Sequence, residues 1–213
     1  LADDVCELWR EDDAGIWEVE PRAYTESRIA CWSALDHAIE LAEHGRLRDD
    51  GVKQWKRSRD ELRDWIEAHA WSEERGAYVL YPGSDELDAS ILLGARFGYF
   101  APGDERFRAT LEALRRELGR GPFLYRTSGL RDEEGCFLAC SFWLVDALAR
   151  EGRLDEAREL MDELVAASND VGLYAEQIDP STREHLGNFP QALTHLSLIL
   201  AAVSVMRAER RAV

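Results

Sequence analysis

Two kinds of helical segment alternate along this 213-residue chain, and the alternation restricts it to folds with an inner and an outer layer of helices. Apolar residues recur at helical spacing near residues 27–44, 51–70, 85–98, 104–119, 135–150, 153–168 and 189–209. "RSRDELRDWIEAHA", "DERFRATLEALRREL" and "RLDEARELMDELVAA" carry wide charged faces, so each has a single stripe to bury and belongs outside. "LDASILLGARFG", "CFLACSFWLVDALA" and "QALTHLSLILAAVSV" are apolar or small nearly all round and belong inside. "SRIACWSALDHAIELAEH" is mixed, but its place in the alternation makes it inner. Strand patterns are almost missing, and "GAYVLY" is the one good candidate. The pattern predicts an all-α fold, either an (α/α)6 toroid of helical hairpins or an open solenoid. A toroid of six hairpins needs about twelve helices. Seven are predicted here, so an apolar seam is expected unless a partner, a second copy or a rearranged packing covers it.

Connector lengths give the layers a direction. The turns leaving inner helices, "HGRLRDDG", "FAPGD" and "EGRLD", are short. Those entering them are long: "GIWEVEPRAYTES", "WSEERGAYVLYPGSDELD", "GPFLYRTSGLRDEEG" and "NDVGLYAEQIDPSTREHLGNFPQ". With inner helices roughly parallel, all four long connectors fall on one face. They are rich in aromatics and carboxylates, the mixture from which binding and catalytic sites on a rigid scaffold are made.

Composition narrows what that face can bind. The formal net charge of −16 repels phosphate backbones and anionic lipid surfaces, which argues against nucleic-acid and membrane-surface partners. Abundant carboxylates with only Lys53 and Lys56 as lysines hint at salt adaptation or a high-GC genome. No run is expected to reach the roughly 18 apolar residues of a bilayer span. The first residues are acidic, unlike a basic-then-apolar leader. Cys6, Cys31, Cys136 and Cys140 form no C-x-x-C pair and are expected as reduced core thiols in a cytoplasmic protein. The chain starts with Leu rather than Met, from which processing or truncation is expected.

Two carboxylates on the long connectors are candidates for chemistry. Glu18 follows Trp17 in "AGIWEVEP", and a carboxyl against an aromatic is desolvated and can stay protonated as a general acid. The bland alternative is a glutamate starting a turn. Glu176 in "GLYAEQIDP" follows apolar and aromatic residues on the same proposed face, with an ordinary loop glutamate as its alternative. Together they suit an inverting glycosidase, in which one carboxyl protonates the leaving oxygen and the other activates water. Arg126 in "FLYRTSG" has a fork able to hold vicinal hydroxyls, or to pair with Asp132, Glu133 or Glu134. Trp17, Tyr24, Tyr81, Tyr125 and Tyr174 either stack on sugar rings or plug the ends of the helical barrel. Ser84, Asp85 and Asp88 compete for the N-cap of the third helix. Cys136 and Cys140, a turn apart, lack companions for a metal, and His37 with His44 reads as surface or satisfied core.

"DDAGIWEVEPRAYTESRIACWSALDHAIELAE", "GSDELDASILL" and "GCFLACSFWLVDALAREGRLDEARELMDELVAASNDVGLYAEQIDPSTREHLGNFPQALTHLSLI" resemble the C-terminal half of glycoside hydrolase family 15. That family contains glucoamylases, glucodextranases and some microbial trehalases. The resemblance runs from about residue 3 to residue 206. It implies that residues 1–213 are the C-terminal part of a single (α/α)6-barrel catalytic domain, with an N-terminal β-sandwich and the first barrel helices upstream. It implies hydrolysis of terminal α-glucosidic bonds with inversion, on maltodextrin, isomaltodextrin or trehalose, with no redox cofactor. Carried over by motif, Glu18 takes the place of the general acid, Glu176 of the general base and Arg126 of the arginine gripping the first sugar. Trp17 and Glu134 follow by proximity as substrate contacts, and Tyr174 joins them from its motif. The family's Arg–Asp pair, which holds the terminal glucose, lies upstream of these residues, so the chain alone is expected to be weakly active or inactive.

The competing expectation is a non-catalytic helical-hairpin scaffold that binds carbohydrate or protein. "GRLDEARELMDELVAA" does read like a tetratricopeptide-type helix. The longer, irregular hairpin period and the one-sided long loops count against such a solenoid.

Overall fold

The computed structural model describes residues 1–48, 50–131 and 134–212. Its helices are α1 (Ala2–Leu8), α2 (Thr25–Glu43), α3 (Val52–His69), α4 (Leu93–Arg96), α5 (Glu105–Leu118), α6 (Leu138–Arg150), α7 (Leu154–Val165) and α8 (Ala192–Ala212). A 3-10 turn, Ala89–Leu92, leads into α4. The fold is an all-α arrangement of inner and outer helices, matching the expected layering. Trp55, Ser58, Leu62 and Ile66 are the buried positions of α3, at spacings of three and four. On α5 they are Phe107, Thr110, Leu111, Ala113, Leu114 and Leu118. Each is one stripe of an otherwise charged helix, and a fully buried Leu or Ile contributes about 1.5–3 kcal/mol. In α6 every residue from Leu138 to Ala149 is buried. It is the innermost helix, packed against α4, α7 and α8.

The third predicted helix is shorter than its apolar run. Asp88 is extended and bridges to Thr127, so helix begins only at Ala89. Gly98, at φ 80°, ends it, with the Tyr99 N–H turned back to the Gly94 carbonyl at 3.0 Å. A Cβ on Gly94 would stand 2.5 Å from the Phe100 ring, so the chain folds back tightly only because that side chain is missing. Helix α1 was not predicted: it is seven residues long and only Cys6 is buried, too little for a periodic signal.

The last three long connectors are pinned by short strand pairs, and the first is closed by an isolated bridge between Asp13 and Arg22. β1 (Trp71–Ser72) pairs with β2 (Ala77–Tyr78), β3 (Gly119–Arg120) with β4 (Phe123–Leu124), and β5 (Cys136–Phe137) with β6 (Gln177–Ile178) and β7 (His185–Leu186). Two-residue strands carry no alternation to detect, which is why only "GAYVLY" stood out. Neighbouring connectors are also joined: the Thr25 N–H to Leu80 O, Ala89 N–H to Arg126 O and Leu138 N–H to Glu176 O, all at 2.9–3.0 Å. Each of these bonds sits at the start of an inner helix, so the four connectors form one continuous layer over the helix N-termini.

Among the described residues α8 is the one helix long and apolar enough to cross a bilayer, contrary to the expectation that no run reaches that length. One face packs on α6 and α7. The other leaves Leu193, Leu196, Ile199 and Leu200 between 39% and 57% exposed. Being apolar on two faces, one of them uncovered, makes the helix look membrane-like by composition.

Candidate active site

The segment carrying Glu18 is a loop closed at its base. Asp13 and Arg22 bridge through two backbone bonds of 3.1 and 2.9 Å. The Asp13 carboxylate accepts the Gly15 N–H and the Ser27 hydroxyl, each at 2.7 Å, and pairs with the buried Arg28 guanidinium. At the tip the Glu18 N–H bonds Gly15 O and the Val19 N–H bonds Ala14 O. These nested bonds are the kind that usually place glycine in the left-handed conformation. Glu18 occupies that place instead, at φ 52°. A non-glycine residue there is strained, and such strain gathers at sites of function.

Trp17 does not shield Glu18 as the sequence suggested. Its indole lies 5.4 Å from Phe137 and 6.0 Å from Trp143 between ring centroids, and the Arg126 guanidinium sits 5.4 Å over its face. Glu18, in its left-handed backbone conformation, is exposed. The Trp17 Nε1–H donates to Asp88 Oδ1 at 3.0 Å.

Glu176 is half-buried, immediately before β6. Its Oε2 accepts the Asn188 backbone N–H and Nδ2–H, each at 3.2 Å. Its Oε1 has no hydrogen-bond partner among the described residues. Gly187 follows a left-handed backbone, φ 73°, and a Cβ there would stand 2.7 Å from Glu176 Oε2. The two carboxylate segments meet at the N-terminus of α6. Trp17, preceding Glu18, packs on Phe137, and Phe137 pairs in register with Gln177, following Glu176.

Arg126 and Glu134 form a forked pair, Arg126 Nε to Oε2 at 2.6 Å with Nη2 on Oε1. Of the three acidic partners considered for Arg126, Glu134 is the one observed; Asp132 and Glu133 lie outside the described residues. Both side chains remain about a fifth exposed, on the Trp17 side of the layer. Tyr174 requires a correction as a substrate contact. It is 2% exposed, donates its hydroxyl to Leu164 O at 3.1 Å and meets Phe142 edge-on, so it seals the core beneath the Glu176 loop. Trp17, Tyr24 and Tyr81 line a hollow of about 260 Å³ with Arg22 and Glu86. Tyr125 packs against the core at the third connector. Cys136 is in β5 and Cys140 in α6, both buried, and burial pushes the Cys136 thiol up to about 12. His37 and His44 use Nδ1 on helix carbonyls four residues back.

Three residues have roles that the sequence did not disclose. Asp88 is a helix-cap candidate by sequence, and it does accept the Ser90 N–H at 2.8 Å, but it also holds Trp17 from 71 positions away. Asp13 braces the Glu18 loop, and Asn188 holds Glu176. Apart from the Asp13–Gly15 bond two residues apart, no local pattern marks these pairings, because the partners arrive from other stretches of the chain.

The sequence profile of glycosyl hydrolases family 15 matches residues 1–203. The chain belongs to this family. It is 42% identical over 212 residues to a trehalase of Mycobacterium tuberculosis (strain ATCC 25618 / H37Rv), a match over 96% of this chain and 31% of that protein. A trehalase of Thermoplasma volcanium is 36% identical over 201 residues, covering 92% of this chain and 32% of the relative. The chain thus spans about a third of the length of these curated relatives. Among solved structures, a wild-type glycosidase superposes with a TM-score of 0.85 at 18% identity, over 96% of this chain and 58% of that one. A bacterial glucoamylase complexed with acarbose gives 0.83 at 14%, over 97% and 37%. At such identities these two structures establish the shared fold.

Proposed function

We propose that this family 15 chain forms part of an inverting glycosidase acting on an α-glucoside, with trehalose the first substrate to test because the curated relatives are trehalases. Glu18 is the general acid and Glu176 the general base. The observation that carries the reading is the junction at α6, where the Trp17–Glu18 turn rests on Phe137 and Phe137 runs beside Glu176 and Gln177. In the reaction Glu18 gives its proton to the glycosidic oxygen as the C1–O bond breaks. Glu176 takes a proton through Oε1 from a water that attacks C1 on the opposite face. Asn188 holds the other oxygen of Glu176, so the attacking water meets a carboxylate already oriented. Arg126, braced by Glu134, supplies a fixed donor fork beside Trp17 for sugar hydroxyls.

A direct test is Glu18→Gln and Glu176→Gln in the full-length gene product. Each is expected to lower kcat by about 10²–10⁴ while leaving the fold intact. Proton NMR of fresh trehalose hydrolysate then reads the stereochemistry: inversion at one anomeric centre yields β- and α-glucose in equal amounts, whereas retention yields α-glucose alone. Undiminished turnover in either variant removes that residue from the mechanism. A full-length product that binds sugar but hydrolyses none of trehalose, maltose and isomaltose would make it a carbohydrate-binding scaffold.

A further inference from the structure

The Trp17 ring is held mainly by contacts that tolerate sliding. Phe137 meets it near edge-on, at 70°, Trp143 lies tilted at 33°, and Arg126 covers its face. Packing of this kind fixes where a ring lies better than how it is turned in its own plane. Among the described residues its one directional contact is the Nε1–H bond to Asp88 Oδ1 at 3.0 Å.

Asp88 is itself rigid. It is 2% exposed; Oδ1 also accepts the Ser90 N–H at 2.8 Å, and Oδ2 accepts the Ser90 hydroxyl at 2.5 Å. Its backbone bridges to Thr127, and the next N–H, of Ala89, donates to the Arg126 carbonyl at 2.9 Å. The residue therefore joins the connectors that carry Glu18, Asp88 and Arg126. A cap alone does not call for a carboxylate here, since serine or asparagine caps a helix as well without a charge to desolvate. Burial pushes the Asp88 carboxyl above its ordinary value, against the pull of Ser90, Trp17 and Arg126. A carboxylate has the reach and the acceptors to serve Ser90 and Trp17 at once; serine has the first function only.

We propose that Asp88 is a positioning residue: by fixing the Trp17 indole from beneath, it sets the turn that presents Glu18 to the glycosidic oxygen. The role rests on Glu18 being the acid. Trp17 and Glu18 are adjacent, and Glu18 takes up the left-handed position of the turn that Trp17 enters. A small rotation of the indole moves the acid relative to a bond it must meet within hydrogen-bond reach.

The experiment is a kinetic cycle in the full-length gene product on trehalose, with Glu18→Gln as the reference. Asp88→Ser keeps an acceptor for the Ser90 N–H and cannot reach Trp17. It is expected to lower kcat about 10- to 100-fold, the equivalent of one hydrogen bond to a charged acceptor, with KM changed less than about threefold. Asp88→Asn keeps an oxygen at the same reach and is expected to retain kcat within about threefold. Trp17→Phe removes the same bond from the other side, and on that background Asp88→Ser should cost little more. Wild-type kcat in Asp88→Ser, or an undiminished effect of that change beside Trp17→Phe, overturns the proposal. If Asp88→Ser does not fold, Trp17→Phe decides by its split: a similar kcat loss with KM changed less than about threefold supports the role, and an unchanged kcat or a loss confined to KM overturns it. The reference separates two failures. An inactive Glu18→Gln with a fully active Asp88→Ser defeats the positioning role alone, whereas an active Glu18→Gln defeats the acid assignment and the role with it.

Discussion

Glu26, the second residue of α2, is 8% exposed, and burial pushes its carboxyl from 4.5 up to about 7, with the charges of Asp88 and Asp13 adding to the effect. Because the folded state holds this proton more tightly than the unfolded chain, the folded form binds more protons between about pH 4.5 and 7. Stability therefore falls as pH rises through that window and stays reduced above it. Glu26→Gln removes the ionisation. Denaturant midpoints should differ little between variant and parent near pH 4, and by pH 8 the glutamine form should be favoured by on the order of 3 kcal/mol. A pH-independent difference would mean that Glu26 finds a compensating partner when it ionises. Gly187 is the second informative residue. Alanine there meets both an unfavourable positive φ and Glu176 Oε2 at 2.7 Å. Gly187→Ala should cost about 1 kcal/mol of stability but at least tenfold in kcat, since the base itself must shift. At this scale the sequence disclosed the chemistry-bearing residue types and not their partners. Glu26 reads as an ordinary first-turn glutamate because Asp88 and Asp13 lie 62 and 13 positions away.

Helix positions were legible wherever one stripe or a full circumference is apolar: α3, α5 and α6 fall within the segments predicted for them. The segment predicted at 85–98 was too long, because apolar character continues through Leu87 although the Asp88 backbone is extended and paired with Thr127. The connectors were legible as long and one-sided, but the side-chain bonds that shape them were not. The Glu18 loop shows what that leaves out. Asp13 ties its base to Gly15, to Ser27 and to Arg28, whose side chain is 3% exposed. Arg28 also donates to Glu11 O at 2.6 Å, so one buried cation organises the entry into α2. Removing its counter-charge leaves that cation without its ionic partner, a loss of about 1–3 kcal/mol because Asp13 itself is 40% exposed and solvent screens the site. Asp13→Ala is thus expected to lower the urea midpoint sharply. The double variant Asp13→Ala, Arg28→Met should recover much of the difference, because no buried charge then remains. Failure of the double variant to recover would place the importance of Asp13 in its bonds to Gly15 and Ser27 rather than in the ion pair.

The layered architecture of the whole molecule could be read from the alternation of helix types, and the expectation of an uncovered apolar seam followed from counting seven helices against about twelve. Which surfaces border the seam could not be read, because α8 is apolar on faces that pack and on faces that do not. Leu193, Leu196, Ile199 and Leu200 recur at spacings of three, three and one, a continuous stripe along α8 opposite α6. A stripe of this kind on an inner helix is where a further inner helix packs in the (α/α)6 fold. For the 213-residue chain on its own, the stripe favours self-association, and the net charge of −16 opposes it. Salt screens the repulsion and strengthens apolar burial, so sedimentation of the isolated chain should show association that rises with both protein and salt concentration. Leu196→Lys with Ile199→Lys should hold the isolated chain monomeric at all salt concentrations. The same pair placed in the full-length gene product should lower its melting temperature by several degrees or more, because two lysines would then be buried without partners. If the substituted full-length product melts like its parent, the stripe is open to solvent there too, and α8 is an edge of the molecule instead of an internal joint.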